Sequence, residues 1–145
     1  MDNQTTKIYN YLPQNALLLR EEVFLCEQGF EVEKDEVDDI AYHIVIEIDN
    51  EVVATCRVFD DNGWVLGRIC VKREWRGRGL GLRIIDEAES FIKKQGGTSI
   101  RLHAQKRAVD FYKRCGYIPY GEVDYEEWCE HVWMKKHVYA KENNI

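Results

Sequence analysis

The residues whose types and spacing best suit chemistry are Arg76-Gly77-Arg78-Gly79-Leu80-Gly81. Glycines allow positive φ and let the backbone approach a ligand closely. Leu80, Ile84, Ile85, Ala88, Phe91 and Ile92 follow at helical spacing, so this loop opens an amphipathic helix. A helix start offers unpaired N–H groups and the positive end of its dipole. Arg73, Arg76 and Arg78 add fixed charge. The combination predicts a pyrophosphate cradle on the main chain of Arg76, Gly77, Arg78, Gly79, Leu80, Gly81 and Leu82. It is not a P-loop, which needs Gly-Lys-Ser/Thr. It is not a dinucleotide fingerprint either, because the sixth position counted from Gly77 is Leu82.

Charge is distributed in blocks behind a net value of -6. From Glu21 to Glu51 there are twelve acidic residues against the single base Lys34, whereas Arg68 to Arg114 holds thirteen bases against five acids. A second acidic cluster comprises Glu122, Asp124, Glu126, Glu127 and Glu130. The middle block is suited to an anion, and it contains the glycine loop. The pI of about 5.3 and the acidic flanks argue against a long phosphate track, so no nucleic-acid partner is expected.

The elements that must position this loop follow from periodicity. Residues 7–12 read as a short strand. A helix runs from Pro13 to Gly29, with Ala16, Leu19, Val23 and Phe24 on one face. Residues 30–41 read as an acidic loop. Strands follow at 42–48, 52–59 and 64–71, turned by Asp49-Asn50 and by Asp60-Asp61-Asn62-Gly63. The helix from Leu80 ends at Gly96-Gly97. Residues 99–104 form a strand, Ala108 to Cys115 a short helix, and 117–123 and 131–139 two strands joined by a long polar turn. The order is β-α-β-β-β-α-β-α-β-β, an α/β arrangement with one parallel crossover at 64–104.

With 145 residues and 45% hydrophobic content, the chain reads as a single domain spanning 1–145. No apolar run reaches the roughly 20 residues of a membrane span, and no signal peptide precedes the fold, so no membrane partner is expected. The five cysteines are odd in number and lack C-x-x-C spacing. They predict reduced thiols, a cytoplasmic location, no disulfide framework and no metal.

These residues resemble the GNAT N-acetyltransferases. That family's Gln/Arg-x-x-Gly-x-Gly/Ala signature is met by Arg76, Gly79 and Gly81. The run Asp110-Phe111-Tyr112-Lys113-Arg114-Cys115-Gly116-Tyr117 is similar to its Phe-Tyr-x-x-x-Gly-Phe/Tyr element. Arg20 to Phe24, Glu27-Gln28, the acidic loop and the stretch from Gly121-Glu122 to His131 look like the small ElaA/YjcF-like branch. The resemblance implies a GNAT fold: a mixed central sheet of about six to seven strands with a V-shaped splay, flanked by about four helices. Acetyl-CoA would lie in the splay as acetyl donor. Its pantetheine would pair with the main chain of Ile69, Cys70 and Val71, and its pyrophosphate would rest on the glycine loop. Gln105 stands where many relatives place a cofactor-holding asparagine.

The implied reaction is direct attack of a primary amine on the thioester in a ternary complex. An alkyl ammonium with a pKa near ~10.4 must first lose a proton. The oxyanion would meet a main-chain N–H near Val71. Tyr112 takes the family position for protonating the leaving thiolate. His131 resembles a histidine of the same branch, a residue type whose intrinsic chemistry suits a base, with Glu27 or Glu122 as alternatives acting through water. His103 reads as structural, and His43 and His137 as strand surface. The Cys70 thiol reads as packing, because its apolar neighbours Ile69 and Val71 disfavour a thiolate. The acidic run, including Asp38, would flank the cleft mouth and suit a cationic acceptor, small or protein-borne. The acceptor residues expected are therefore Glu27, Asp38 and Glu122. A non-catalytic acyl-CoA sensing module is the alternative, as a monomer or homodimer in either case.

Overall fold

The computed structural model describes residues 3–138. Seven strands form one sheet: β1 (Gln4–Tyr9), β2 (Tyr42–Ile48), β3 (Glu51–Asp60), β4 (Trp64–Val71), β5 (Ser99–Gln105), β6 (Ile118–Glu126) and β7 (Cys129–His137). Their spatial order is β1-β2-β3-β4-β5-β7-β6. All neighbouring pairs are antiparallel except β4 and β5. The three helices are α1 (Gln14–Arg20), α2 (Leu80–Lys94) and α3 (Val109–Arg114). A π-helical segment at Glu21–Glu27 continues α1.

The sheet is covered on both faces. On one, Ala16, Leu19 and Val23 pack against Val45, Val52 and Cys70. On the other, Leu80, Ile84, Ile85, Ala88 and Ile92 of α2 pack against Ile44, Ile46, Val58, Leu66 and Leu102. This explains why β2 is buried from His43 to Ile48, although its alternation suggested one polar face. His43 is buried as well, correcting its reading as strand surface; its Nε2 lies 3.0 Å from the Asp38 carbonyl.

One irregularity makes the cleft. β4 and β5 pair only at Trp64↔Ile100 and Val65↔Arg101, at their first residues. Beyond that the strands diverge. The β3–β4 register shifts between Thr55 and Arg57, and opposite it Arg68 adopts φ +50°. This bulge bends β4 away from β5 and leaves its edge without a partner strand.

Other boundaries differ from the sequence reading in informative ways. The first strand occupies Gln4–Tyr9 because its register with β2 runs from Gln4↔Ile48 to Tyr9↔His43. The acidic loop, whose sequence also allows a helical turn, holds one as a 3₁₀ turn at Glu36–Asp39 closed by an Asp35/Asp38 capping box. The long turn expected before His131 is instead a tight hairpin: Asp124↔His131, Tyr125↔Glu130 and Glu126↔Cys129 pair, with Glu127 at φ +54°. The sequence reading of the last strand extended to Tyr139, which lies outside the described residues.

Candidate active site

The splay encloses a cavity of about 540 Å³. Its walls come from every element that meets the gap. Leu66 to Ile69 of β4 form one side, and Leu102, His103 and Gln105 of β5 the other. Phe24 and Gln28 enter from the π-helical turn, Glu33 and Asp35 from the acidic loop, Tyr112 from α3, and Glu126 and His131 from the β6–β7 hairpin. The π segment matters here. Its Gln28 N–H bonds the Val23 carbonyl five residues back, and the wider turn brings Phe24 and Gln28 to the cavity.

The glycine loop stands at the C-terminal end of β4. Gly77 and Gly79 both have φ +80°, and Gly79 is the N-cap of α2 with no side chain capping the helix. A Cβ added at Gly79 would meet no protein atom within 4 Å, so glycine is needed there for backbone conformation and for open space above the amides. Arg76 donates from Nε to the Val71 carbonyl (2.9 Å) and pairs through Nη2 with Glu27 (2.8 Å). Arg78 lies over the Trp75 ring at 4.6 Å. These contacts shape the loop, and among the described residues no side chain caps the first turn of α2.

The open edge of β4 can be read residue by residue. The Lys72 N–H bonds the Val53 carbonyl of β3 at 2.8 Å. Peptide groups alternate sides along a strand, so those of Val71 face the cleft. The Val71 carbonyl is held by Arg76, and the Val71 N–H remains available. Ile69 lines the cavity directly. Cys70 faces the other way: it pairs with Thr55 on β3, and its thiol is buried under α1. That geometry removes Cys70 from the open-edge set and bears out its side chain as packing. Burial pushes the thiols of Cys70 and Cys56 far above their usual range.

Tyr112 and His131 face the same cavity. Burial, followed by the neighbouring Cys115 and Cys56, pushes the Tyr112 phenol well above its ordinary value, so it is a neutral O–H donor. Its hydroxyl makes no hydrogen bond to another described residue. His131 is 4% exposed. Its Nδ1 lies 3.0 Å from the Cys129 carbonyl, which can only accept, so Nδ1 carries the proton and Nε2 presents a lone pair when the ring is neutral. That Nε2 is 3.5 Å from Glu126 Oε2. His103, expected to be structural, lines the cavity beside His131 with ring centroids 4.6 Å apart. The Gln105 amide is engaged by protein on both sides, donating to Gln28 (2.8 Å) and accepting from Arg107 (2.9 Å).

The expected acceptor residues do not gather. Asp38 is 1% exposed, with both carboxylate oxygens on Arg20 (2.9 Å each) and one also on Arg57 (2.9 Å). This corrects its assignment: an acceptor cannot reach it. Glu27 is committed to Arg76, and Glu122 lies on the exposed β6 bulge away from the cavity. The cavity floor instead carries a network that local spacing did not disclose. Arg20 also pairs with Glu33, Arg57 with Asp35 (2.6 Å), and Arg68 with Asp35 (3.2 Å) and the Glu33 carbonyl (2.8 Å). Burial opposes charge on Asp38, but hydrogen bonds and proximity to Arg20 and Arg57 outweigh it and hold the carboxyl far below its usual range. Two buried atoms of the network have no hydrogen-bond partner among the described residues, Glu33 Oε1 and Arg57 Nε. A signal existed: Arg20 shares the helix face of Ala16 and Val23, and Arg57 sits within the apolar run of β3.

Comparison with known proteins agrees with this architecture. Residues 15–138 match the family described as "Acetyltransferase (GNAT) domain". The chain is 33% identical over 127 residues to the uncharacterised N-acetyltransferase YjcF of Bacillus subtilis, covering 85% of this chain and 91% of that protein. It is 30% identical over 130 residues to ElaA of Escherichia coli, covering 84% and 85%. Among solved structures, an acyl-CoA N-acyltransferase from Pseudomonas aeruginosa superposes with a TM-score of 0.81 at 27% identity, covering 94% of this chain and 99% of that one. ElaA from Escherichia coli superposes with a TM-score of 0.78.

Proposed function

Because the chain belongs to the GNAT acetyltransferase family, in its ElaA/YjcF-like branch, we propose that it moves an acetyl group from acetyl-CoA to a primary amine by direct attack in a ternary complex. The observation that carries this reading is a coincidence in one cleft. The β4 edge, Tyr112 and His131 line the splay, and the loop that follows β4 leads to the uncapped start of α2. Family membership supports the coarser statement, an acyl-CoA-dependent N-acyltransferase.

The donor would lie along β4. Its pantetheine amides would pair with the main chain of Ile69 and Val71, and its diphosphate would meet the amides from Arg76 to Leu82. Gln105, tied to Gln28, would hold the cleft wall rather than reach freely toward the donor. On the acceptor side, Asp35, Glu126 and Glu127 line the cavity, and these carboxylates favour a cationic acceptor.

His131 Nε2 would take a proton from the ammonium, freeing the nitrogen lone pair. The nitrogen attacks the thioester carbonyl, a C–N bond forms, and the Val71 N–H stabilises the oxyanion. Collapse breaks the C–S bond, and Tyr112 protonates the departing thiolate. Of the two protons the nitrogen loses, one ends on the thiol of CoA and the other reaches solvent.

Incubation with acetyl-CoA and a panel of amines, read as free thiol released, tests the proposal. We expect release with at least one amine, and Tyr112→Phe should slow it about 10²-fold while CoA binding is unchanged. Equal turnover by the variant removes Tyr112 from the mechanism. Binding of acetyl-CoA without thiol release from any amine would favour the non-catalytic sensing module.

A further inference from the structure

We propose that His103, Glu126 and His131 form a divalent-metal site, suited to Zn²⁺, in the wall of the acceptor cavity. One ligand atom from each lies within 4.8 Å of the others. The three residues come from adjacent strands: Gln105↔His131 and His103↔Trp133 pair β5 with β7, and Glu126↔Cys129 pairs β6 with β7. Strand placement gives the rigidity that a metal site requires.

One of the two distances to Glu126 already suits a small cation. Metal–ligand bonds of 2.0–2.2 Å in tetrahedral geometry put ligand atoms about 3.3–3.6 Å apart. Glu126 Oε2 is 3.5 Å from His131 Nε2 and 2.5 Å from His103 Nδ1. The second separation must open by about 1 Å on metal entry, estimated from those bond lengths. The Glu126 side chain is 43% exposed and has room to swing. All three residues line the cavity, from which a fourth ligand would come.

The surrounding shell is the stronger argument. A ligating imidazole ordinarily donates its other ring N–H to a carboxylate or carbonyl, which fixes the tautomer. Both histidines have that partner. His103 Nε2 lies 2.6 Å from Asp124 Oδ1, and His131 Nδ1 lies 3.0 Å from the Cys129 carbonyl. Each ring is therefore held with its remaining nitrogen toward Glu126. Trp133 stacks on His103 at 4.7 Å and Phe30 meets His131 edge-on at 6.5 Å, restricting ring rotation. Two imidazoles and one carboxylate select Zn²⁺ or a similar transition metal over Mg²⁺ or Ca²⁺.

The site has a consequence that rests on the acetyltransferase reading. His131 Nε2 cannot hold a metal and accept the amine proton at once. Metal binding would block turnover reversibly.

The test is titration of chelator-treated protein with ZnCl₂ by calorimetry, in a Cys26→Ser background because Cys26 is an exposed thiol. Visible absorption of added Co²⁺ gives an independent readout of tetrahedral coordination. We expect one ion per chain, at least 100-fold weaker binding in His103→Asn and in Glu126→Gln, and about 10-fold weaker binding in Asp124→Asn. Circular dichroism checks that each variant is folded. No heat and no cobalt band, or equal affinity in parent, His103→Asn and Glu126→Gln, would overturn the proposal. Neither outcome would touch the acetyltransferase reading, which thiol release tests separately. Zinc bound at one ion per chain with turnover unaffected would support the site and remove His131 as the base.

Discussion

At the scale of single residues, burial decides what a charge can do. Asp38 belongs to a run that on spacing alone could greet a cationic substrate, but the fold turns it inward onto Arg20 and Arg57. Asp38→Asn removes the anion between two buried guanidinium groups, and breaking such a pair costs about 3–5 kcal/mol. We expect a matching drop in thermal stability; an unchanged melting temperature would refute the role of the network. The pH dependence has a definite sign. Asp38 and Asp35 are held below their ordinary values, so their contribution is full at neutral pH and disappears as pH falls below about 4. Burial pushes His43 down, so the unfolded chain takes a proton near pH 6.5 before the native one does. Stability should therefore decline in two stages on acidification, first below about pH 6.5 and then below about pH 4. The glycines at 77, 79 and 81 and the apolar setting of Cys70 were legible in sequence because each acts through its own local chemistry. The partners of Arg20 and Arg57 were not, since Glu33, Asp35 and Asp38 reach them only after the loop folds back on the sheet.

Elements carry the positioning. α2 was readable from its apolar stripe and its glycine stop, and its C-terminus closes as a Schellman motif. Gly97 N–H bonds the Ile92 carbonyl (2.9 Å), Gly96 N–H bonds the Lys93 carbonyl (3.0 Å), and Gly96 has φ +87°. Gly97 serves by lacking a side chain. A Cβ there would lie 2.5 Å from Ile92 Cγ2 and 2.7 Å from Trp64 Cδ1. Gly97→Ala should destabilise by about 1–3 kcal/mol, seen as a lower denaturant midpoint with unchanged slope; an unchanged midpoint would show that the junction is slack. Two features of the site escaped periodicity. The π turn at Glu21–Glu27 has the same residues an α-helix would accept, so no local signal sets it apart. The β4 bulge at Arg68 depends on pairing with β3. The tight β6–β7 hairpin was also hidden, because the second half of β6 is acidic and largely exposed and gives no alternation to follow.

At the scale of the whole molecule, the seven-stranded sheet and its parallel crossover followed from the order of periodic segments, and the splay follows from where β4 stops pairing. The charge blocks mean something different from their first reading. Three acids of the acidic block, Glu33, Asp35 and Asp38, are paired within the fold by Arg20, Arg57 and Arg68, and part of the basic block by Glu27, Glu87 and Asp61. On the proposed reading the donor meets main chain: the amides at the start of α2 and the free edge of β4. Isothermal titration of the purified chain with acetyl-CoA, set beside Gly79→Val, measures that directly. The account predicts one molecule bound per chain, and at least tenfold weaker binding once a side chain covers the amides while circular dichroism stays unchanged. No heat with the parent protein, or equal affinity in Gly79→Val, would contradict it.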